Sequence, residues 1–460
     1  MMNTAWDGKR VTILGGARQG LSAARWLVRH GARVTLNDRR PAEQMDAAQA
    51  VLQDVEVKWV LGSHPLEILD TTDVLCLSGG IPLDNPIVVE AVRRDIPLTN
   101  DTQMFMEAAP CRTIGITGSA GKTTTTSLVG EMAKAALGDR AHVGGNIGDP
   151  LLNHVDQMQP GDLAILEISS FQLEQMTTSP QIAAVLNITP NHLDRHGTME
   201  AYTAAKGRIL EFQAPHDLAV LNREDPGSWA LRTGVRGRLV SFGMNPITGG
   251  EDGSSLQDGL LYLHERGLDI ALLEPGKILL RGQHNLMNTL AAFAIGLAAG
   301  LPLDAMLGAV QEFQGVPHRL EFVRTWRGAS WYNDSIATAP ERTMAAIRSF
   351  HEPIVLLLGG RDKNLPWTEL ADLVHQRVDH VVLFGEAAAK IESALGSSGQ
   401  GDRPYTLDRC RNLEEAVRAA VRRVEPGDVV LLSPGGTSFD EFNDFEARGE
   451  VFRKWVSALS

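Results

Sequence analysis

Residues 112–127 read RTIGITGSAGKTTTTS: an apolar, β-branched run, glycines at 115, 118 and 121, and then Lys122-Thr123 heading a helix-compatible stretch. A strand that empties through a glycine loop straight into a helix is the opening of a βαβ unit, because a parallel strand can return to its sheet only through a crossover. Ile116 stands where the strict G-x-x-x-x-G-K-[ST] pattern has its first glycine. The rest of the loop keeps the chemistry of phosphate binding. Backbone N–H groups of Gly118, Ser119, Ala120 and Gly121 can close around phosphate oxygens and the helix N-terminus adds positive potential. Lys122 can reach the terminal phosphates, and the hydroxyl of Thr123, with Thr124 behind it, can ligate Mg²⁺. The duller reading, a tight turn that happens to precede Lys-Thr, does not account for a strand on one side and a helix on the other.

The same alternation recurs along all 460 residues, too many for one core. RVTILGG, QGLSAARWLVRHG and ARVTLNDRR form a first βαβ unit, continued by DVLCLSGGI, a helical NPIVVEAVRRD and IPLTND. After the glycine loop, LAILEIS, IAAVLNI and LAVLN read as strands, MEAYTAAKGRILEFQ and HNLMNTLAAFAIGLAAG as helices. GVRGRLVSFG and GLLYLHERGLDIALL read as hairpin material. ASWYNDS, PIVLLLGG, HVVLFG and DVVLLSPGG open a third series. The expected architecture is α/β, with three domains in series: a Rossmann-like 1–101, a central P-loop domain 102–315 and a Rossmann-like 316–460.

A formal charge of −13 is wrong for a surface built to hold nucleic acid. Cys76, Cys111 and Cys410 form no C-x-x-C and no disulfide framework, which fits a reducing cytoplasm. The N-terminus enters a strand without an apolar leader, and no uncharged apolar run is long enough to span a bilayer.

Other polar positions sit at strand ends, where α/β proteins place ligands. LGGARQGLS approximates a dinucleotide loop through Gly15, Ala17 and Gly20, with Asp38 where a ribose-binding acid would lie; a plain helix–strand turn is an equal reading. Glu167 ends LEISSFQLE and can hold Mg²⁺ beside the loop threonine. His192, Asp194 and His196 follow IAAVLNI in a spacing that matches no zinc motif, with Lys206 one helix later. PHR, NDSIAT, GGRDKN and SPGGTSFDEFNDFEARG are the polar strand ends of the third segment.

In this order, T-G-x-x-G-K-[ST], G-G-N-I-G, L-E-x-S-S-F-Q-L, H-x-D-R, A-A-K, H-N-x-x-N, P-H-R, N-D-S-x-A-T, G-G-x-x-K and S-x-D-x-F-x-x-F-E-x-R-G, the motifs resemble the Mur ligase family nearly end to end. The resemblance implies a cytoplasmic, monomeric enzyme of peptidoglycan precursor synthesis. It would use ATP and Mg²⁺, two ions in all, to join D-glutamate to UDP-N-acetylmuramoyl-L-alanine through an acyl phosphate. It further implies that Thr123 and Glu167 hold one Mg²⁺ while His192 and a carbamylated Lys206 support the second. Asn146 would face the reacting groups together with Lys122; Asn285, Asn288, Arg319 and Asp334 would lie along the nucleotide. Arg18, Gln19, Asp38, Arg39, Arg40, Ser78 and Gly79 would take the uridine diphosphate, and Thr338, Lys363, Ser438 and Phe445 the glutamate. One departure bears on specificity: Ile336 stands where the family commonly has a lysine, and Arg361 is one cation that could replace it. The rival readings are the same chemistry with L-glutamate or another acidic amino acid, a folylpolyglutamate-type ligase, a P-loop switch that uses ATP only to change shape, and a nicotinamide dehydrogenase built on the first loop.

Overall fold

The computed structural model describes residues 4–247, 250–396 and 405–460. Its strands form three sheets, met one after another along the chain. The first is all parallel, in the spatial order Val57–Leu61, Arg33–Asp38, Arg10–Leu14, Val74–Leu77, Leu98–Thr99. Both faces are covered, as the period of two in a buried strand demands. Val74 and Cys76 join a cluster with Trp26 and Phe105, whereas Leu75 and Leu77 join another with Ile87 and Ala91. Helix Arg18–Arg29 packs so closely on the preceding loop that a Cβ at Gly20 would come within 2.0 Å of the Gly15 carbonyl oxygen. Glycine is therefore required there.

The second sheet has nine strands in the order Leu268–Ala271, Leu260–Glu265, Gly253–Gln257, Arg238–Phe242, Leu218–Asn222, Ile182–Val185, Arg112–Thr117, Leu163–Glu167, Ala141–Gly145. Leu260–Glu265 and Leu268–Ala271 form the expected antiparallel hairpin. GVRGRLVSFG forms none: its strand Arg238–Phe242 lies parallel to Leu218–Asn222 and to the start of Gly253–Gln257. The glycines in that stretch punctuate a parallel strand rather than turn a hairpin. One contiguous core runs under both sheets, from Trp26 and Phe105 to Ile168 and Tyr202, and Trp26 Nε1 donates to Asp156 at 3.2 Å. The chain up to Ile278, with His284–Glu312, accordingly forms one compact unit.

Leu279–Gln283 and Phe313–Ser460 form the other unit. Its sheet runs Glu321–Trp326, Ala329–Asn333, Val429–Gly435, Ile354–Gly359, His380–Phe384, Thr406–Arg409, parallel except for the antiparallel first pair. In each sheet the strand order reverses around a central strand. That leaves a crevice beyond the carboxyl ends, the place where open α/β sheets bind ligands. Among the described residues no helix is long and apolar enough to cross a membrane.

Candidate active site

The central crevice is built by strand Arg112–Thr117, its loop, and helix Lys122–Leu137. Gly121 has φ +82°, and a Cβ there would meet Asn288 Oδ1 at 2.3 Å, so this turn needs glycine twice over, for its backbone and for the amide beside it. Asn288 also donates to Asn285 Oδ1 at 3.1 Å, which sets both asparagines of helix Gln283–Ala299 beside the loop. Ser119 N–H donates to the Asn187 carbonyl at 2.9 Å, Ala120 N–H to Asn187 Oδ1 at 2.8 Å, and Ser119 Oγ lies 3.0 Å from the Tyr202 hydroxyl. Asn187 and Tyr202 thus hold the loop open from the neighbouring strand end and from helix Met199–Glu211.

Lys122 Nζ donates to the Gly118 carbonyl at 2.8 Å. Thr123 Oγ1 donates to Glu167 Oε2 at 2.8 Å, and Asn146 Nδ2 donates to Glu167 Oε1 at 3.1 Å. Glu167 is buried at the end of its strand. A hydroxyl and a carboxylate meet here, oxygen donors of the hard type that Mg²⁺ prefers, and the Asn146 amide is held beside them through its nitrogen. Thr124 lies buried one residue further along the helix.

Lys206 is 1 % exposed and donates to the same Gly118 carbonyl at 3.0 Å. Burial, reinforced by Lys122 and opposed by Glu167, lowers its pKa to about 7, so much of it is a neutral amine near neutral pH. His192 starts the short helix Leu193–His196 in the left-handed region, φ 53°, with its ring 5.2 Å from that of Phe171. His196 is packed inside, between Ser170 Oγ at 3.0 Å and Glu174 at 2.9 Å, and anchors this turn. Among the described residues no three His, Cys, Asp or Glu side chains cluster as a metal site. The pair Thr123 and Glu167 draws on a hydroxyl and so is not of that kind.

In the first sheet, Asp38 accepts from Gly16 N–H at 2.8 Å and from Arg40 Nε at 3.0 Å and Nη2 at 2.7 Å. These bonds, the Arg40 side chain foremost, hold its carboxyl well below the usual range. Ser78 Oγ donates to the Gly15 carbonyl at 2.8 Å across the crevice, and a Cβ on Gly79 would come within 3.4 Å of Gln19 Oε1. Arg18 opens the helix and Arg39 lies between Asp38 and Arg40 on the strand-end turn. Arg195, quoted in the H-x-D-R motif but given no role, is an unforeseen link. Its guanidinium lies 3.9 Å from the Phe171 ring and donates to the Ile81 carbonyl at 2.6 Å, joining the His192 turn to the Ser78–Gly79 loop. A charged residue one helical turn from a candidate ligand was the available signal; its partner, a backbone carbonyl more than a hundred residues away, left none.

In the second unit, Asp334 is buried at the end of strand Ala329–Asn333, accepting from Ser433 Oγ at 2.7 Å and from Leu320 N–H at 3.2 Å. Burial pushes its pKa up to about 7 despite those bonds. Arg319 lies half-buried beside Leu320. Lys363 Nζ points to Thr338 Oγ1 at 3.4 Å, Ser438 is buried, and the Phe445 carbonyl accepts from Ser335 Oγ at 2.8 Å. Arg361, the cation considered for the missing lysine, is held by Glu386 through bonds of 2.9 and 3.0 Å.

Three family models match the chain in order: the Mur ligase MurD-like N-terminal domain over residues 9–100, the Mur ligase middle domain over 116–296, and the Mur ligase glutamate ligase domain over 318–436. The chain is 40% identical to the UDP-N-acetylmuramoylalanine–D-glutamate ligase of Symbiobacterium thermophilum and 37% identical to that of Koribacter versatilis, over 98% of each chain in both cases. Its fold resembles that of the UDP-N-acetylmuramate-alanine ligase of Thermotoga maritima, with a TM-score of 0.56 at 20% identity, covering 97% of this chain and 99% of that one. It also resembles the MurF ligase of Thermotoga maritima in complex with ADP, with a TM-score of 0.54 at 18% identity, covering 99% of this chain and 97% of that one.

Proposed function

The chain belongs to the Mur ligase family, and from that premise we propose that it joins D-glutamate to UDP-N-acetylmuramoyl-L-alanine at the expense of ATP, in cytoplasmic peptidoglycan precursor synthesis, as a monomer divided at 101/102 and 315/316. The observation that carries this reading is the convergence of Lys122, Lys206, Thr123, Glu167 and Asn146 on the mouth of one glycine loop.

A carboxylate is a poor acyl donor until it carries a leaving group. The alanyl carboxylate oxygen takes the terminal phosphoryl group of ATP and ADP leaves. The glutamate amine then attacks the acyl carbon, and phosphate departs with the bonding pair as the amine loses its proton. Lys122, released from the Gly118 carbonyl, balances the charge that develops on the transferred phosphoryl group, and the N–H groups of Gly118–Gly121 hold the triphosphate in line. Thr123 and Glu167 would hold Mg²⁺, with His192 and Lys206 beside a second ion; the metal supplies charge neutralisation on the phosphates. Lys206 suits carbamylation, because the neutral amine that burial favours can add CO₂ through its nitrogen lone pair and release a proton, leaving an anionic carbamate as an oxygen ligand. Asn146 orients the acyl group, Asn285 and Asn288 line the nucleotide with Arg319 and Asp334, and Arg18, Gln19, Asp38, Arg39, Arg40, Ser78 and Gly79 receive the uridine diphosphate. Thr338, Lys363, Ser438 and Phe445 receive the amino acid.

The test is phosphate release with ATP, Mg²⁺ and UDP-N-acetylmuramoyl-L-alanine, comparing D-glutamate, L-glutamate and no amino acid, with the product mass measured. One phosphate per amide with D-glutamate alone is the expected result. A preference for L-glutamate would keep the chemistry and overturn the enantiomer, and release without the sugar nucleotide would overturn the ligase reading.

A further inference from the structure

The loop 335–338 of the second unit is gripped from two sides. From within, the fully buried Arg448 donates to the Ser335 carbonyl at 2.8 Å and to the Gly436 carbonyl at 3.1 Å, and Gly435 N–H donates to the Ala337 carbonyl at 2.8 Å. These bonds fix Thr338 and Ser438 at one crevice. From outside, Lys363 reaches Thr338 Oγ1, and Arg342, in the first turn of helix Pro340–Ile347, donates through Nη1 to the Ile336 carbonyl at 3.0 Å.

The cations around this crevice differ in what they have left to give. Arg361 is spent on Glu386, and the neighbouring Asp362 is paired with Lys390. Arg448 is enclosed, its donors turned to backbone and to Ser335. Arg342 and Lys363 are exposed, and among the described residues neither has a carboxylate within ion-pair distance. A guanidinium carries five N–H donors, and the Ile336 carbonyl takes one. The two cations act on residues only two positions apart, and the Lys363 pKa is lowered by burial first and then by the charges of Arg342 and Arg448, with Glu341 acting the other way. Among the described residues Glu341 and Asp334 are the carboxylates near enough to act on this pair, yet neither forms an ion pair with it, and two like charges left so are matched by a ligand with two anionic groups.

We propose that Arg342 is a specificity-determining residue that binds one carboxylate of the incoming glutamate while Lys363 binds the other. Ile336 contributes no charge here; its carbonyl aims the arginine instead. The proposal rests on the glutamate-ligase reading above.

The test is steady-state kinetics on the full-length wild type, Arg342→Ala and Arg342→Lys, with whichever glutamate enantiomer the wild type accepts. KM for glutamate should rise about tenfold or more in Arg342→Ala, as expected for loss of a charge-assisted bond, and be partly restored in Arg342→Lys. KM for ATP and for the sugar nucleotide should stay constant. Arg342→Ala should also lose discrimination against one of the two monoamides, glutamine or isoglutamine, whichever neutralises the carboxylate at this site. An unchanged KM for glutamate, a fall in kcat alone, or discrimination against both amides intact would overturn the assignment. A wild type that ligates neither enantiomer would instead sink the functional reading, and this proposal with it.

Discussion

Two glycine loops in this chain share a plan and differ in charge. Each follows a central parallel strand, turns at the crevice of its sheet and opens a helix. In the first, a carboxylate closes the loop: Asp38 accepts the Gly16 N–H and is itself tied to Arg40. In the second, two lysines meet on the Gly118 carbonyl. The backbone geometry is common property. The side chains placed beside it set the charge each loop presents, a carboxylate paired with an arginine in one and two lysines in the other.

The comparison breaks most visibly at Lys122. Lys122→Ala should lower kcat about a thousandfold or more, the scale of removing a main electrostatic partner of a transferred phosphoryl group, with the sugar-nucleotide affinity measured by calorimetry left intact. Loss of that affinity instead would mean the two loops are not separable. Lys206→Arg, which keeps a cation but cannot form a carbamate, should cost about a hundredfold in kcat. The wild type in ¹³C-bicarbonate should show a carbamate resonance that the variant lacks. A wild type without that resonance would refute the modification.

On the first loop, Asp38→Asn should raise KM for the sugar nucleotide about tenfold, the effect of freeing Arg40 and weakening one charged contact, while kcat holds. Equal losses in both parameters would place Asp38 with the chemistry instead. The smallest effect is expected at the seam between the two sheets. Asp101, buried at the start of helix Asp101–Ala108, has its pKa pushed up to about 6 by burial. An unfolded carboxyl titrates near 4, so between these values the folded state keeps a proton that the unfolded state has lost. Stability contributed by the protonated form is therefore lost as pH rises through that window. Asp101→Asn should raise the melting temperature at pH 8 by a few degrees and leave it nearly unchanged at pH 4; equal shifts at both would show that charge is not the cause.

Much of this was legible because its cause is local. Strand, glycine turn and helix at 112–127 follow from side-chain size and backbone freedom over a few residues, and the alternation of such units implied three α/β sheets. The false hairpin at GVRGRLVSFG shows where local reading stops. A strand's partner is chosen by the sheet that receives it, and a parallel neighbour twenty residues back leaves no mark in the strand's own pattern.

The sequence by itself determined the element types, the order of the sheets along the chain and the loop that can cradle phosphate, since propensity, periodicity and glycine chemistry act over short spans. Only the tertiary structure decided which charges are available. Arg361 and Arg342 look alike in sequence, yet one is consumed by Glu386 and the other is not. Lys206 is one of many lysines until burial strips its water away and shifts its proton affinity. Desolvation and pairing depend on atoms brought together from distant parts of the chain, and no short stretch of sequence records them.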